Sequence, residues 1–150
     1  MSAAAVAPVE TRVSAVILYD GVCGLCDRYV QFLLRHDRRR SFRFAPLQGA
    51  FAARALGRHG PALAPTLSTI VLVEYPETSA ERVRLRSDAV LAILVGLGGG
   101  WRCLALLRMF PRPVRDAAYA LVARVRHRFF GKLDACAIPP PDAGPGRFLE

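Results

Sequence analysis

The chain has 150 residues, a formal net charge of +9 (21 Lys and Arg against 12 Asp and Glu) and 53% hydrophobic residues. This length suits one domain with a hydrophobic core, and the composition excludes an intrinsically disordered chain. Four cysteines are too few for a disulfide-rich secreted scaffold. The first residues resemble no signal peptide, and the apolar stretch 89–110 is interrupted by glycines and arginines. We therefore expect a cytoplasmic protein without a membrane span.

The hydrophobic pattern predicts strands and helices that alternate in the first half of the chain. Residues 16–19 are a continuous apolar run, which is typical of a strand buried on both faces. Further strands are predicted at 42–47, 68–75 and 82–86, and helices at 23–35, 49–58, 88–97, 101–110 and 113–131. Ser87 is predicted to cap the third helix, with Asp88 at its positive end. This order predicts an α/β fold, in which a parallel βαβ unit and an antiparallel hairpin form a mixed four-stranded sheet flanked by helices.

The most informative motif is the pair Cys23 and Cys26, at the predicted junction of the first strand and the first helix. Unpaired backbone N–H groups and the positive end of the helix dipole stabilise a thiolate at a helix N-terminus. Cys26 lies one turn further on, within reach of a disulfide with Cys23, and shares the apolar stripe of the helix. We therefore predict that Cys23 is the outer, nucleophilic thiol and that Cys26 is the resolving thiol and the more buried of the two.

Two other roles for this pair remain open. Cysteine packs well as a small hydrophobic residue, so both thiols could be structural. Zinc would need two more ligands, and the sequence offers Cys103, Cys136 and three histidines, but no second CxxC and no HxxxH. The alternative to dithiol chemistry is therefore a non-catalytic metal-binding or interaction module. Dithiol chemistry itself implies no cofactor and no metal, since the two thiols are the redox group.

Asp20 stands three residues before Cys23, at the end of the first predicted strand. A partly buried carboxylate at this position can accept the proton of the resolving thiol. An Asp-Gly pair is also a common turn, and the residue type fits both roles. The negative charge of Asp20 would oppose a very low pKa of Cys23, which favours a reducing or exchange role over a strongly oxidising one.

An ordered set of residues resembles the DCC family of thiol-disulfide oxidoreductases, whose signature is DxxCxxC. Asp20 to Cys26 match the signature, and the similarity extends over roughly residues 15–136. It includes Leu47-Gln48, Arg86-Ser87-Asp88-Ala89, Gly98-Gly99 with Trp101, Pro111, Arg115-Asp116 with Tyr119, Arg128 with Phe130-Gly131, and Cys136. The resemblance implies a thioredoxin-like fold, protein-disulfide reductase activity and a redox role for Cys23 and Cys26. It also implies a disulfide-containing protein or a small thiol compound as the substrate, with an electron donor that the sequence does not name.

The predicted organisation has four parts: a flexible leader (1–13), a thioredoxin-like domain (14–100), a helical extension packed on the same domain (101–136) and a proline-rich, unstructured tail (137–150). Pro65 lies where thioredoxin-like proteins carry a cis-proline, although trans is the ordinary form of an X-Pro bond. Cys103 is expected to pack within an apolar helix. Cys136 is either a second resolving thiol or a cysteine without a function.

The region 101–132 carries eight Lys and Arg residues and one acidic residue, Asp116. A basic amphipathic helix can bind an anionic membrane or an acidic partner, so a peripheral membrane protein is a further alternative. The positive charge would also attract nucleic acid. No recognised binding motif accompanies it, and we expect no specific nucleic-acid partner.

Overall fold

The computed structural model describes residues 15–60, 70–132 and 146–149. In chain order its elements are β1 (Ala15–Tyr19), α1 (Gly24–His36), β2 (Phe42–Pro46), α2 (Ala50–Arg58), β3 (Val71–Glu74), β4 (Arg82–Leu85), α3 (Arg86–Gly96), a 3-10 helix (Gly99–Met109) and α4 (Arg112–Phe130). The predicted leader, Pro65 and Cys136 lie outside the described residues.

The described strands form one mixed sheet in the order β2-β1-β3-β4. β1 runs parallel to β2, with Ile17 opposite Phe44, and antiparallel to β3, with Ile17 opposite Leu72. β3 and β4 form the predicted antiparallel hairpin. A parallel βαβ unit joined to an antiparallel hairpin, with helices on the sheet, is a thioredoxin-like arrangement. The predicted fold class is therefore confirmed.

The central strand β1 is buried along its whole length, as its continuous apolar run predicts. Its residues alternate between two cores, because successive side chains of a strand point to opposite faces. Ile17 packs with apolar residues of α1 and α3 on one face. Val16 and Leu18 pack with α2 on the other face. α4 lies against α1 and α3, which places the C-terminal helix beside the start of α1.

The start of α3 differs from the prediction. Leu85 precedes the helix, and Ser87 lies within its first turn. The Ser87 hydroxyl donates a hydrogen bond to the carboxylate of Asp116 on α4, so Ser87 ties two helices together instead of capping one. The prediction that Ser87 caps α3 was wrong, because its hydroxyl binds the Asp116 carboxylate on another helix. Asp88 lies in the first turn, as expected.

The segment predicted as an apolar helix at 101–110 is a 3-10 helix that buries none of its residues. Gly98 precedes it and Gly99 is its first residue, and their φ angles of 76° and 58° suit residues without a Cβ. A 3-10 helix has three residues per turn, so apolar residues spaced three and four apart do not stay on one face. Cys103 is consequently exposed, and the prediction that it packs was wrong.

The end of the proline-rich tail is ordered against the sheet. The backbone N–H of Phe44 donates to Arg147, and that of Leu149 donates to Phe44. Arg147 is buried and forms an ion pair with Asp37, 2.5 Å between Nη2 and Oδ2. The expectation of an unstructured tail is therefore wrong for residues 146–149. A buried ion pair with a residue 110 positions earlier leaves no local signal in the sequence.

Candidate active site

The junction between β1 and α1 places Cys23 at the start of the helix. Cys23 has extended backbone angles (φ −95°, ψ 119°), and α1 begins at the next residue. Its N–H donates to the carbonyl of Asp20 (3.2 Å), which closes a tight turn, and its own carbonyl accepts the N–H of Asp27 (3.0 Å). The predicted position of Cys23 at the N-terminal end of a helix is thus where the structure places it.

Cys26 lies one turn further along α1, and both cysteines are free, buried thiols. Burial raises the pKa of Cys26 to about 12, and the neighbouring Cys23 adds to this increase. The charge of Arg126 and a backbone hydrogen bond with Asp20 act in the opposite direction. Cys26 is therefore a protonated thiol near neutral pH.

Asp20 is buried, and its carboxylate accepts three hydrogen bonds. Oδ1 accepts the N–H of Val22 (3.2 Å) and the side-chain amide of Gln48 (3.1 Å), and Oδ2 accepts Nη2 of Arg126 (3.5 Å). Nη1 of Arg126 lies 3.8 Å from the sulfur of Cys26. The Asp20 carboxylate is therefore linked to the thiol pair through the buried guanidinium of Arg126, which contacts both Asp20 and Cys26.

Arg126 is the site residue that the sequence analysis missed, and Gln48 entered it only as part of the family resemblance. Arg126 occupies the apolar side of α4, because Tyr119, Val122 and Arg126 follow one another at helical spacing. An arginine in such a stripe is a signal that could have been recognised. Arg126 was overlooked because it lies among other arginines, and a run of basic residues normally forms a solvent-exposed helix face.

Both cysteines are buried: Cys23 is 0% exposed and Cys26 is 3% exposed. The residues after α4 lie against Cys23, because Lys132 forms a β-bridge with it and the Gly131 carbonyl accepts the N–H of Gly24 (3.4 Å). The expectation that Cys26 is the more buried thiol was wrong. The structure shows that a chain segment from the C-terminal end of α4 covers the first position of the motif.

Cys26 also lines a large groove bounded by α1, α3, the 3-10 helix and α4, with a volume of about 510 Å³. We call it the Cys26 groove. Most of its wall is apolar, from residues that include Leu25, Ile70, Val90, Leu91, Leu107, Phe110, Val114, Ala118 and Val122. Polar residues of the wall include Tyr29, Ser87, Tyr119 and Arg126. Cys26 thus faces a groove with a predominantly apolar wall.

Within residues 15–60, 70–132 and 146–149, no three His, Cys, Asp or Glu side chains come together in a way that could hold a metal ion. None of the described helices has the length and apolar character needed to cross a bilayer.

Comparison with known proteins agrees with this geometry. The model of the DCC1-like thiol-disulfide oxidoreductase family matches residues 17–132. The chain is 34% identical over 128 residues to the uncharacterized protein YuxK of Bacillus subtilis (strain 168), covering 84% of this chain and 88% of that protein. It is 39% identical over 124 residues to the DCC family protein At1g52590, chloroplastic, of Arabidopsis thaliana, covering 82% of this chain and 69% of that protein. No solved structure matches. The chain, with Cys23 and Cys26 at the start of α1, belongs to the DCC1-like thiol-disulfide oxidoreductase family.

Proposed function

We propose that the protein is a cytoplasmic protein-disulfide reductase that uses Cys23 as the nucleophile and Cys26 as the resolving thiol. The observation that carries this proposal is the asymmetry of the pair. Cys23 lies at the positive end of a helix, whereas Cys26 lies inside the helix and has a pKa raised to about 12. Cys23 is the proposed attacking group because it stands directly before the first residue of α1, whereas Cys26 stays protonated until the second step.

The proposed reaction has two exchange steps. The Cys23 thiolate attacks one sulfur of the substrate disulfide, whose S–S bond breaks and releases one substrate thiolate, which takes up a proton. Cys26 then loses its proton, attacks the Cys23 sulfur of the mixed disulfide and releases the second substrate thiol. The products are a Cys23–Cys26 disulfide and a substrate dithiol, so two electrons pass to the substrate. Two molecules of a small thiol compound can restore the pair by the reverse exchange, and they leave as their own disulfide.

Asp20 and Arg126 support the second step. The Asp20 carboxylate, which binds the same guanidinium as Cys26, is the proposed acceptor of the Cys26 proton, and the charge of Arg126 favours the thiolate that results. Because the Phe130–Lys132 segment lies against Cys23, attack on a protein disulfide requires this segment to move. We therefore include its displacement in the proposed cycle.

The proposal is tested by equilibrating the protein in glutathione redox buffers, alkylating the free thiols and measuring each cysteine by mass spectrometry. Cys23 and Cys26 should convert together between dithiol and disulfide, with a midpoint near the roughly −270 mV of thioredoxin for a reductase. Cys23→Ser should abolish exchange, and Cys26→Ser should accumulate mixed disulfides. Cys103→Ser, which removes an exposed cysteine away from the pair, is the matched control and should leave exchange unchanged. Retained turnover in Cys23→Ser would refute the assigned roles.

A second candidate property is contact with an anionic membrane. The 3-10 helix exposes Leu106 (67%) and Met109 (82%), next to the exposed arginines Arg102 and Arg108. Exposed apolar side chains beside positive charge favour the surface of an anionic bilayer. Co-sedimentation with phosphatidylserine vesicles at two salt concentrations tests this, and binding should weaken at the higher salt.

A further inference from the structure

Two residues that line the Cys26 groove each carry a buried polar atom that has no partner among the described residues: the hydroxyl of Tyr29 and Nε of Arg126. The side chain of Arg126 is only 5% exposed. An arginine Nε–H can only donate a hydrogen bond, and a tyrosine hydroxyl can donate one. Buried polar groups in proteins nearly always have partners, so two unpaired donors in one groove indicate a ligand that brings acceptors.

The remaining wall defines the body of that ligand. It is predominantly apolar, so a hydrocarbon body is favoured there. A peptide backbone would bring N–H and C=O groups into a groove with few partners for them, which is unfavourable. The charge of Arg126 is already paired with Asp20, so an anionic acceptor would add an uncompensated buried charge. The acceptor is therefore neutral, as a carbonyl oxygen is.

We propose that the Cys26 groove binds a quinone with an apolar side chain, and that the reduced cysteine pair transfers two electrons to it. A quinone combines an apolar ring and chain with neutral carbonyl oxygens that can accept hydrogen bonds from Arg126 and Tyr29. Cys26 lines the same groove, which places the quinone beside the dithiol. The electron transfer rests on the proposed redox role of the cysteine pair, whereas binding does not.

The reaction balances without a further reactant. The two S–H bonds of Cys23 and Cys26 break and one S–S bond forms between them. The quinone gains the two electrons and the two protons, and two O–H bonds form at its carbonyl oxygens. The dithiol is oxidised to the disulfide, and the quinone is reduced to the quinol. The protein thus has a small-molecule electron acceptor in addition to the proposed disulfide substrate.

Binding is tested first, by calorimetry with the oxidised protein, which cannot reduce the ligand. The probe is a fully substituted benzoquinone with a decyl chain, because thiols cannot add to a ring without a free position. We expect one site per chain. Ala118 is an exposed residue of α4 on the groove wall, so Ala118→Trp should fill the groove and weaken binding at least about ten-fold. Its exposed neighbour Ala117 is not part of the wall, and Ala117→Trp should bind within about two-fold of the wild type.

Electron transfer is tested by mixing the reduced protein with the same quinone without oxygen. We expect one quinol for each Cys23–Cys26 disulfide formed, and slower reduction by Ala118→Trp than by Ala117→Trp. The dimethyl ether of the quinol, which lacks carbonyl groups, should bind at least about ten-fold more weakly than the quinone.

Three results would overturn the inference: no binding to the wild type, equal binding of the ether and the quinone, or equal quinone reduction by Ala118→Trp and the wild type. Oxidation of the pair by glutathione disulfide but not by the quinone would leave the proposed reductase standing and remove this inference alone. Failure with both oxidants would overturn the reductase proposal together with the electron transfer.

Discussion

Arg126 of α4 and Asp20 at the end of β1 form a buried ion pair, with 3.5 Å between Nη2 and Oδ2, across 106 residues of sequence. Because Nη1 of the same guanidinium lies 3.8 Å from Cys26, the pair links the C-terminal helix to the cysteine motif. A buried ion pair adds little net stability when both partners are present, but removal of one partner leaves an uncompensated charge.

Arg126→Met should therefore lower the free energy of unfolding by about 3 kcal/mol, measured by urea denaturation at neutral pH. The pKa of Cys26 should also rise, because the charge that lowers it is lost. Resolution of the mixed disulfide should slow accordingly. Arg124→Met removes an exposed charge from the same helix and should have little effect.

The double variant Asp20→Asn/Arg126→Met separates charge burial from other effects. It should be more stable than Arg126→Met alone, because no unpaired carboxylate remains in the core. An unfolding free energy of Arg126→Met equal to that of the wild type would show that the ion pair does not form in solution.

The contrast between Cys23 and Arg126 shows how much of the site could be predicted from the sequence. The turn after a buried strand, followed by helical periodicity, places Cys23 at a helix start, and each of these signals spans a few residues. Arg126 enters the site through the packing of α4 on α1, which no local pattern specifies. The cover over Cys23 has the same origin, because Lys132 reaches it from the far end of the chain.

The fold shows the same division between local and distant causes. The strands, the parallel βαβ unit and the antiparallel hairpin follow from apolar runs and short links, and they were predicted. Ser87 was assigned to a cap because serine caps helices, whereas its actual partner Asp116 lies on another helix. The buried Arg147 likewise depends on Asp37, which the proline-rich tail gives no reason to expect.

Arg147→Met should destabilise the fold by about 3 kcal/mol, although it lies near the end of the chain. Asp37 accepts the N–H groups of Ser41 and Phe42 in addition to Nη2 of Arg147, so it joins the end of α1 to β2. Loss of the guanidinium leaves this carboxylate buried without its counter-charge. Urea denaturation measures the effect, with the exposed Arg38→Met as the control. Equal stability of the two variants would mean that the tail does not dock on β2.

Glu81 predicts a dependence of stability on pH. It pairs with Arg58 and His59 at the end of α2, each at 2.8 Å, and accepts the N–H of Glu77. The hydrogen bond from Arg58 makes the largest contribution to lowering its pKa, from 4.5 to about 2. A carboxylate whose pKa is lower in the folded state contributes its full stabilisation of the fold at pH values above its unfolded pKa. That stabilisation is then lost as the pH falls from about 4.5 towards 2.

Glu81→Gln should consequently lower the free energy of unfolding by about 1–2 kcal/mol at pH 7, a value reduced for the exposure of Arg58. The difference from the wild type should shrink as the pH falls below about 4.5 and nearly vanish near pH 2. Urea denaturation over this pH range measures it. Glu77→Gln, at an exposed neighbouring position, should have the smaller effect at every pH. A difference that stays constant down to pH 2 would contradict the pairing.

A substitution at Gly24 tests whether the Phe130–Lys132 segment covers the cysteine motif. A Cβ at this position would lie 2.3 Å from the carbonyl oxygen of Phe130, so Gly24→Ala cannot keep the Phe130–Lys132 segment in place. Alanine otherwise favours a helix, and at Gly57 of α2 an added Cβ meets nothing within 4 Å. Gly57→Ala should therefore stabilise the protein by up to about 1 kcal/mol, and Gly24→Ala should destabilise it.

In the reduced protein, Gly24→Ala should also raise the rate at which iodoacetamide alkylates Cys23, because the segment against this thiol is displaced. Mass spectrometry of the timed reaction separates Cys23 from Cys26. If the alkylation rate of Cys23 is the same in both glycine variants, the segment does not control access to the nucleophile, and its displacement has no place in the catalytic cycle.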